Sequence, residues 1–133
     1  MTTAYEHEFD VPADAIDENG HVNNVEYVRW MQDAGVRHFT SVGGNAVMQA
    51  AGAIWVARSH HVEYLRPALS GERIRVRTWV QDLRRVKSTR KYEFIRPTDG
   101  KLLARGETEW VFVDAKTGRP RSIPPEIQSL FEE

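Results

Sequence analysis

The strongest constraint on this chain is an imbalance between strand and helix. Four long runs rich in Val, Ile, Thr, Trp, Tyr and Phe, at 54–65, 73–83, 87–96 and 102–114, are separated by RPALSGE, RRV and PTDGK. Runs of that composition bounded by turn residues read as strands, and their short connections make the sheet antiparallel. In the second run Ile74, Val76, Thr78 and Val80 oppose Arg73, Arg75, Arg77 and Trp79, so one face is buried and the other is wet or partnered. Ahead of these runs one long segment has a helical period: Tyr27, Val28, Met31, Ala34, Gly35, Phe39 and Val42 recur at steps of three and four and stop before Gly43 and Gly44. One long helix followed by a strand meander is an α+β domain, in which the concave face of a curled sheet is the place to bury the helix stripe.

The flanking segments complete the outline. Residues 5–11 alternate, with Tyr5, His7, Phe9 and Val11 on one side and Glu6, Glu8 and Asp10 on the other, as a half-buried strand does. The segment DENGHVNN, 17–24, is a turn ending in a helix cap at Asn23 or Asn24. Residues 45–52 form a helical turn or lid, and Pro124 and Pro125 before EIQSLF open a short terminal helix with a packing role. Without repeats, low-complexity tracts or linkers, 1–133 reads as a single domain.

Charge and cysteine content exclude whole classes of function. With 18 Lys+Arg against 19 Asp+Glu there is no long-range field for a polyanion, so neither nucleic acid nor an anionic membrane is an expected partner. The absence of cysteine removes disulfides, thiolate ligands and a cysteine nucleophile, and fits a reducing cytoplasm. The start, MTTAYEHEFD, lacks the basic stretch and apolar run of a secretion signal, and no apolar run approaches the roughly 20 residues that cross a bilayer. The expected location is cytoplasmic.

Two clusters carry chemistry. Asp17, Asn19 and His21 alternate in the turn before the helix, so a carboxylate, an amide and an imidazole converge near free backbone N–H groups. That arrangement suits acyl transfer, with the helix end holding an oxyanion while a carboxylate attacks or activates water. The same residues are also what an ordinary turn and cap require, and spacing alone leaves both readings open. Arg84, Arg85, Lys87 and Ser88, at the turn between the 73–83 and 87–96 strands, are donors suited to phosphate groups or, equally, a solvated hairpin whose charges discourage edge pairing. Arg75, Arg77 and Arg90 are expected to be solvated. Adjacent His60 and His61 point to opposite faces of a strand and cannot share a metal, and His7 and His38 have no partner at a ligand spacing, so no metal site is expected. The four tryptophans read as core or interface anchors, with Trp55 placed to line a pocket.

The stretch IDENGHVNNVEYVRWMQDA resembles the signature of the hotdog-fold thioesterases of the 4-hydroxybenzoyl-CoA thioesterase family, in which Asp, Gly-His-Val-Asn-Asn and Tyr open the central helix. The likeness continues through HHVEYLRPALSGERIRVRTWV and VKSTRKYEFIRPTDGKLLARGETEWVFVDAKTGRPRSIP, nearly the whole chain in order. The resemblance implies a hotdog fold, an antiparallel sheet wrapped around one central helix. It also implies metal-independent hydrolysis of acyl-CoA, with coenzyme A part of the substrate rather than a cofactor. Asp17 matches the family's catalytic carboxylate, nucleophile or general base, and the helix start at Asn23, Asn24 and Val25 would polarise the thioester carbonyl. The Arg84, Arg85, Lys87 and Ser88 cluster falls where such enzymes often meet the nucleotide of coenzyme A. The run DENGHVNN is also similar to the plant acyl-ACP thioesterase motif, which gives Asn19 and His21 a catalytic role; Pro67 and Ala68 stand where that family places its downstream Glu or Cys. The resemblance further implies a homodimer with a continuous sheet and two sites at the subunit boundary, or a dimer of such dimers. Because Asn24 and Gln32 occupy positions where relatives carry acids or bases, an idle hotdog module binding a thioester or a protein partner is the competing expectation. Hydration of an enoyl thioester is a weaker one, since its motif is absent.

Overall fold

The computed structural model describes residues 3–132; Met1, Thr2 and Glu133 of the expected 1–133 domain lie outside the described residues. Five strands, β1 (Ala4–Asp10), β2 (Ala53–Tyr64), β3 (Arg73–Arg84), β4 (Lys87–Arg96) and β5 (Lys101–Asp114), form one sheet in the order β1-β3-β4-β5-β2. Every pairing is antiparallel; short connections dictate this for β3–β4 and β4–β5, whereas β2, expected to open the meander, crosses over to pair with β5 at the opposite edge from β1. Register shifts in β2 between Ala57 and Ser59, in β3 between Val80 and Asp82, and in β4 between Phe94 and Ile95 bend the strands and curl the sheet. On its outer face Glu8 of β1 takes Arg73 at 2.9 Å and Arg75 at 3.0 Å, and Arg77 lies 3.7 Å from Glu93 of β4, so Arg75 and Arg77, expected to be solvated, are cross-strand partners of acids.

The long helix α1 (Asn24–Ser41) lies in the concave face, burying Tyr27, Met31, Ala34, Gly35 and His38. Asn23 caps it, its Oδ1 accepting from the Val25 N–H at 3.3 Å, a contact worth about 1 kcal/mol. The helix sits close to the sheet because Gly106 faces it: a Cβ there would lie 2.8 Å from the Met31 sulfur. The 45–52 segment is a two-turn helix, α2 (Gly44–Ala51), and the chain ends in α3 (Pro125–Leu130) with Pro125 at its start.

Two apolar clusters make the core. One gathers Tyr27, Met31, Ala34, Val76, Tyr92 and Phe94 under the first half of α1. The other joins Met48 of α2, Val80, Phe112, Ile127 and Phe131. Between them runs a polar belt. Arg90, expected to be solvated, is 5% exposed; its Nη1 donates to His38 Nδ1 at 2.9 Å and to Thr78 Oγ1 at 3.1 Å. The alternation of β4 explains this correction, since Ser88, Arg90, Tyr92 and Phe94 share the inner face. None of the four tryptophans is fully buried.

Burial, followed by the nearby Arg90 guanidinium, pushes the His38 imidazole down to about 4. The unfolded chain takes up this proton near pH 6.5, so the stabilisation held by neutral His38 is complete above that pH and is lost as pH falls toward 4. Chemical denaturation of the wild type and of His38→Gln will therefore diverge in pH dependence. Across this window the wild type should lose on the order of 2 kcal/mol more than the variant, in which carboxylate titrations are shared and cancel.

Candidate functional site

The chain enters α1 through a closed loop. Ile16 and Val22 pair as an antiparallel bridge, while the Asn23 N–H donates to the Ala15 carbonyl and the Asp17 N–H to the His21 carbonyl, both at 2.8 Å. Gly20, at φ +79°, makes the reversal and donates its N–H to the Asp17 carbonyl at 3.0 Å. Asp17 Oδ1 accepts from the Asn19 N–H at 2.9 Å and the His21 N–H at 3.3 Å. The loop thus clamps one carboxylate oxygen, and Oδ2 has no hydrogen-bond partner among the described residues. Asn19 and His21 meet Asp17 through their backbone amides; their side chains are exposed.

The start of α1 is only partly used up by its cap. The Val25 N–H is held by Asn23 Oδ1, and the Glu26 N–H donates to the Asn23 carbonyl at 2.9 Å. The Asn23 N–H is spent on Ala15, which leaves the Asn24 N–H as the open amide at this end among the described residues. Beside it is a groove of 210 Å³ lined by His21, Asn24, Tyr27, Tyr64, Pro67 and Ala68. The Tyr64 hydroxyl donates to the Asn24 carbonyl at 3.2 Å, which ties the end of β2 to the start of α1. Burial pushes the Tyr27 hydroxyl up to about 12, so it stays protonated at neutral pH. Pro67 and Ala68 offer no acid or thiol to this groove.

A larger cavity, 380 Å³, lies further along α1, where Gln32, Val36 and Phe39 face Trp55 and Trp110 of the sheet. Gln32 is eight residues beyond Asn24, about 12 Å along a helix axis. The two spaces share no lining residue. Asn45 of α2 and Phe131, the residue after α3, line the cavity, while α3 itself packs Ile127 into the second apolar cluster. The hairpin cluster is divided: Arg84, Arg85 and Lys87 are exposed at the tip, whereas Ser88 is buried and turned into the cavity wall beside Arg90. Arg84 lies 3.5 Å from Asp82 and Lys87 3.8 Å from Glu109; Arg85, at φ +55° in the tight turn, has no acidic partner among the described residues. Sequence reasoning missed Arg90, Asn45 and Phe131 as cavity residues. The period-two pattern of β4 was the available signal for Arg90.

This geometry accompanies clear kinship. The family described as the thioesterase-like superfamily matches residues 11–131. An L-carnitine dehydrogenase/betainyl-CoA thioesterase from Ruegeria pomeroyi is 32% identical over 122 residues, covering 91% of this chain and 24% of that protein. Its counterpart from Agrobacterium fabrum is 29% identical, covering 95% of this chain and 26% of that one. The chain therefore spans about a quarter of the length of the curated relatives it matches. Among solved structures, DHNA-CoA thioesterase from Staphylococcus aureus superposes with a TM-score of 0.84 at 24% identity, covering 96% of this chain and 87% of that one. YbaW, a probable thioesterase from Escherichia coli, gives 0.87 at 19% identity, covering 94% of each chain. At such identities these two establish the shared fold, an antiparallel sheet around a central helix. By the span of the family match and the identity of its relatives, the chain belongs to the thioesterase-like superfamily.

Proposed function

We propose that the chain is an acyl-CoA thioester hydrolase working without a metal. The observation that carries this reading is the clamped carboxylate of Asp17 in the loop that leads into α1, whose open amide is that of Asn24. Two backbone donors fix one oxygen of Asp17; the other is free to attack the thioester carbon or to take a proton from attacking water. The Asn24 N–H, at the positive end of the helix dipole, is the donor for the oxyanion. Asn23 orients this end as its cap, and Val25 contributes only through that cap. The names of the two bifunctional relatives support the activity class, and family membership supports it independently. Their betainyl group belongs to those proteins; the acyl group here depends on this chain's own cavity.

The carboxylate and the acyl-sized cavity are separate within one chain, and twofold pairing would join them. β2 is a twelve-residue edge strand with Ile54 and Val56 nearly half exposed. Its far end, Tyr64, holds the start of α1, and its near end carries Trp55 of the cavity wall. Antiparallel pairing of two β2 strands would bring the Asn24 end of one copy toward the Trp55 end of the other, giving two sites at the boundary of a cytoplasmic homodimer. At the hairpin tip Arg85, with no acid against it, is the leading donor for coenzyme A phosphates; Arg84 and Lys87 add charge beside it.

Three measurements test this reading. Asp17→Asn keeps an oxygen for the two amide donors, so folding should persist while kcat on a panel of acyl-CoA and acyl-ACP thioesters drops about 100-fold or more. A wild type that turns over none of the panel would identify a binding module instead. Light scattering should give twice the chain mass, and Val56→Lys should shift the particle toward one chain mass; a stable wild-type monomer at micromolar concentration would remove the composite site. Arg85→Ser should raise KM for acyl-CoA several-fold while leaving kcat near its original value, and an unchanged KM would assign the tip to solvent.

A further inference from the structure

Arg90 is the one charged side chain among the described residues of the 380 Å³ cavity wall, and no acid lies against it. Its surroundings hold the guanidinium in a fixed plane. Both Nη1 hydrogens are engaged, by His38 Nδ1 at 2.9 Å and Thr78 Oγ1 at 3.1 Å, and Thr78 passes its own hydrogen to the Lys91 carbonyl at 2.9 Å. Accepting at Nδ1 means that His38 is neutral and brings no compensating charge. The Phe131 ring lies 5.9 Å from the guanidinium carbon. The remaining N–H groups, Nε and Nη2, have no hydrogen-bond partner among the described residues, and neither is sealed away from open space. They form the side-on edge through which a guanidinium grips a carboxylate with two parallel hydrogen bonds. Position 35 leaves that edge uncovered: a Cβ on Gly35 would stand 3.4 Å from Nε and Cδ of Arg90.

We propose that Arg90 selects the distal end of the acyl group, so that the cavity takes a carboxylate-terminated chain, an ω-carboxyacyl thioester, gripped through Nε and Nη2. This rests on the thioester-hydrolase reading and names its substrate class. The alternatives fit the wall less well. A methyl-terminated chain satisfies Val36, Phe39, Trp55 and Trp110 but leaves a desolvated cation without a counter-charge. A hydroxyl terminus accepts one bond where the edge offers two. A cationic terminus is repelled outright. Burial pushes Arg90 down only to about 10, so the charge is present at neutral pH. Gln32, Asn45 and Ser88 add neutral polar groups to an otherwise apolar wall and no opposing acid.

The test compares kcat/KM of the wild type on acyl-CoA substrates of matched length ending in carboxylate, hydroxyl, methyl or trimethylammonium. The carboxylate form should exceed the methyl form by about ten- to a hundredfold and the cationic form by more. Arg90→Met should abolish that ratio and Arg90→Lys restore part of it. Gly35→Ala, which favours the helix and keeps the arginine, should reduce the ratio by covering Nε. A wild-type ratio at or below one overturns the proposal, whether or not the Arg90 variants fold. If no thioester is hydrolysed, the hydrolase reading fails separately. Thermal shift of the wild type by non-hydrolysable ω-carboxyacyl-CoA and methyl-terminated thioethers then decides the proposal, with equal shifts overturning it.

Discussion

The seating of α1 in the curled sheet governs everything else in this molecule, because both ends of the helix carry part of the site. Burial of Tyr27, Met31 and Ala34 supplies the driving force, at about 1.5–3 kcal/mol for each large apolar side chain taken out of water. Apolar contact alone tolerates small slips and rotations. What fixes the helix about its axis is the directional contact in the polar belt, where His38 meets Arg90, and the close approach of Met31 to Gly106. A helix turned by one residue would carry His38 off the Arg90 fork and expose an unpaired buried charge.

The belt also explains why two apolar clusters sit on one sheet face. Thr78, Arg90 and Thr108 occupy neighbouring positions on the inner face of three adjacent strands, and His60 continues the row to the β2 edge, its Nδ1 2.8 Å from Thr108 Oγ1. A polar row through the middle of an inner face is unfavourable unless each group is satisfied. Here Thr78 donates to the backbone and Thr108 bonds a ring nitrogen, while Arg90 keeps donors in reserve and the neighbouring Tyr92 hydroxyl is buried without a hydrogen-bond partner among the described residues. Arg90 lines the cavity, so its reserve belongs to the cavity wall rather than to either apolar cluster.

Much of this was legible in the sequence, for identifiable reasons. Strand alternation in 73–83, the helical stripe from Tyr27 to Val42 and the capping turn are local patterns, and the sheet and helix formed where those patterns lie. Asp17 was singled out by the resemblance of its turn to the thioesterase signature, because the spacing of Asp, Asn and Gly by itself fits an ordinary turn and cap equally well. Arg90 was misjudged when residue type was allowed to outweigh period: arginine favours solvent, yet its neighbours at two-residue spacing, Ser88 and Tyr92, are both buried. The cavity was beyond local reading. Its wall combines α1, α2, four strands and the residue after α3, and contacts so distant in sequence leave no periodic trace.

Separating the carboxylate from the acyl wall has a consequence for how such a fold changes substrate. The clamp on Asp17 is made of backbone amides and a glycine turn, so it survives almost any substitution along β3, β4 or the later turns of α1. The wall is made of side chains on regular elements, where one exchange alters charge or depth without moving the backbone. Members of such a family can therefore keep the helix and the sheet while differing in the acyl group they accept. In this chain the charged position of that wall is Arg90, and its hydrogen bonds to His38 and Thr78 hold it as a fixed charge rather than a mobile surface one.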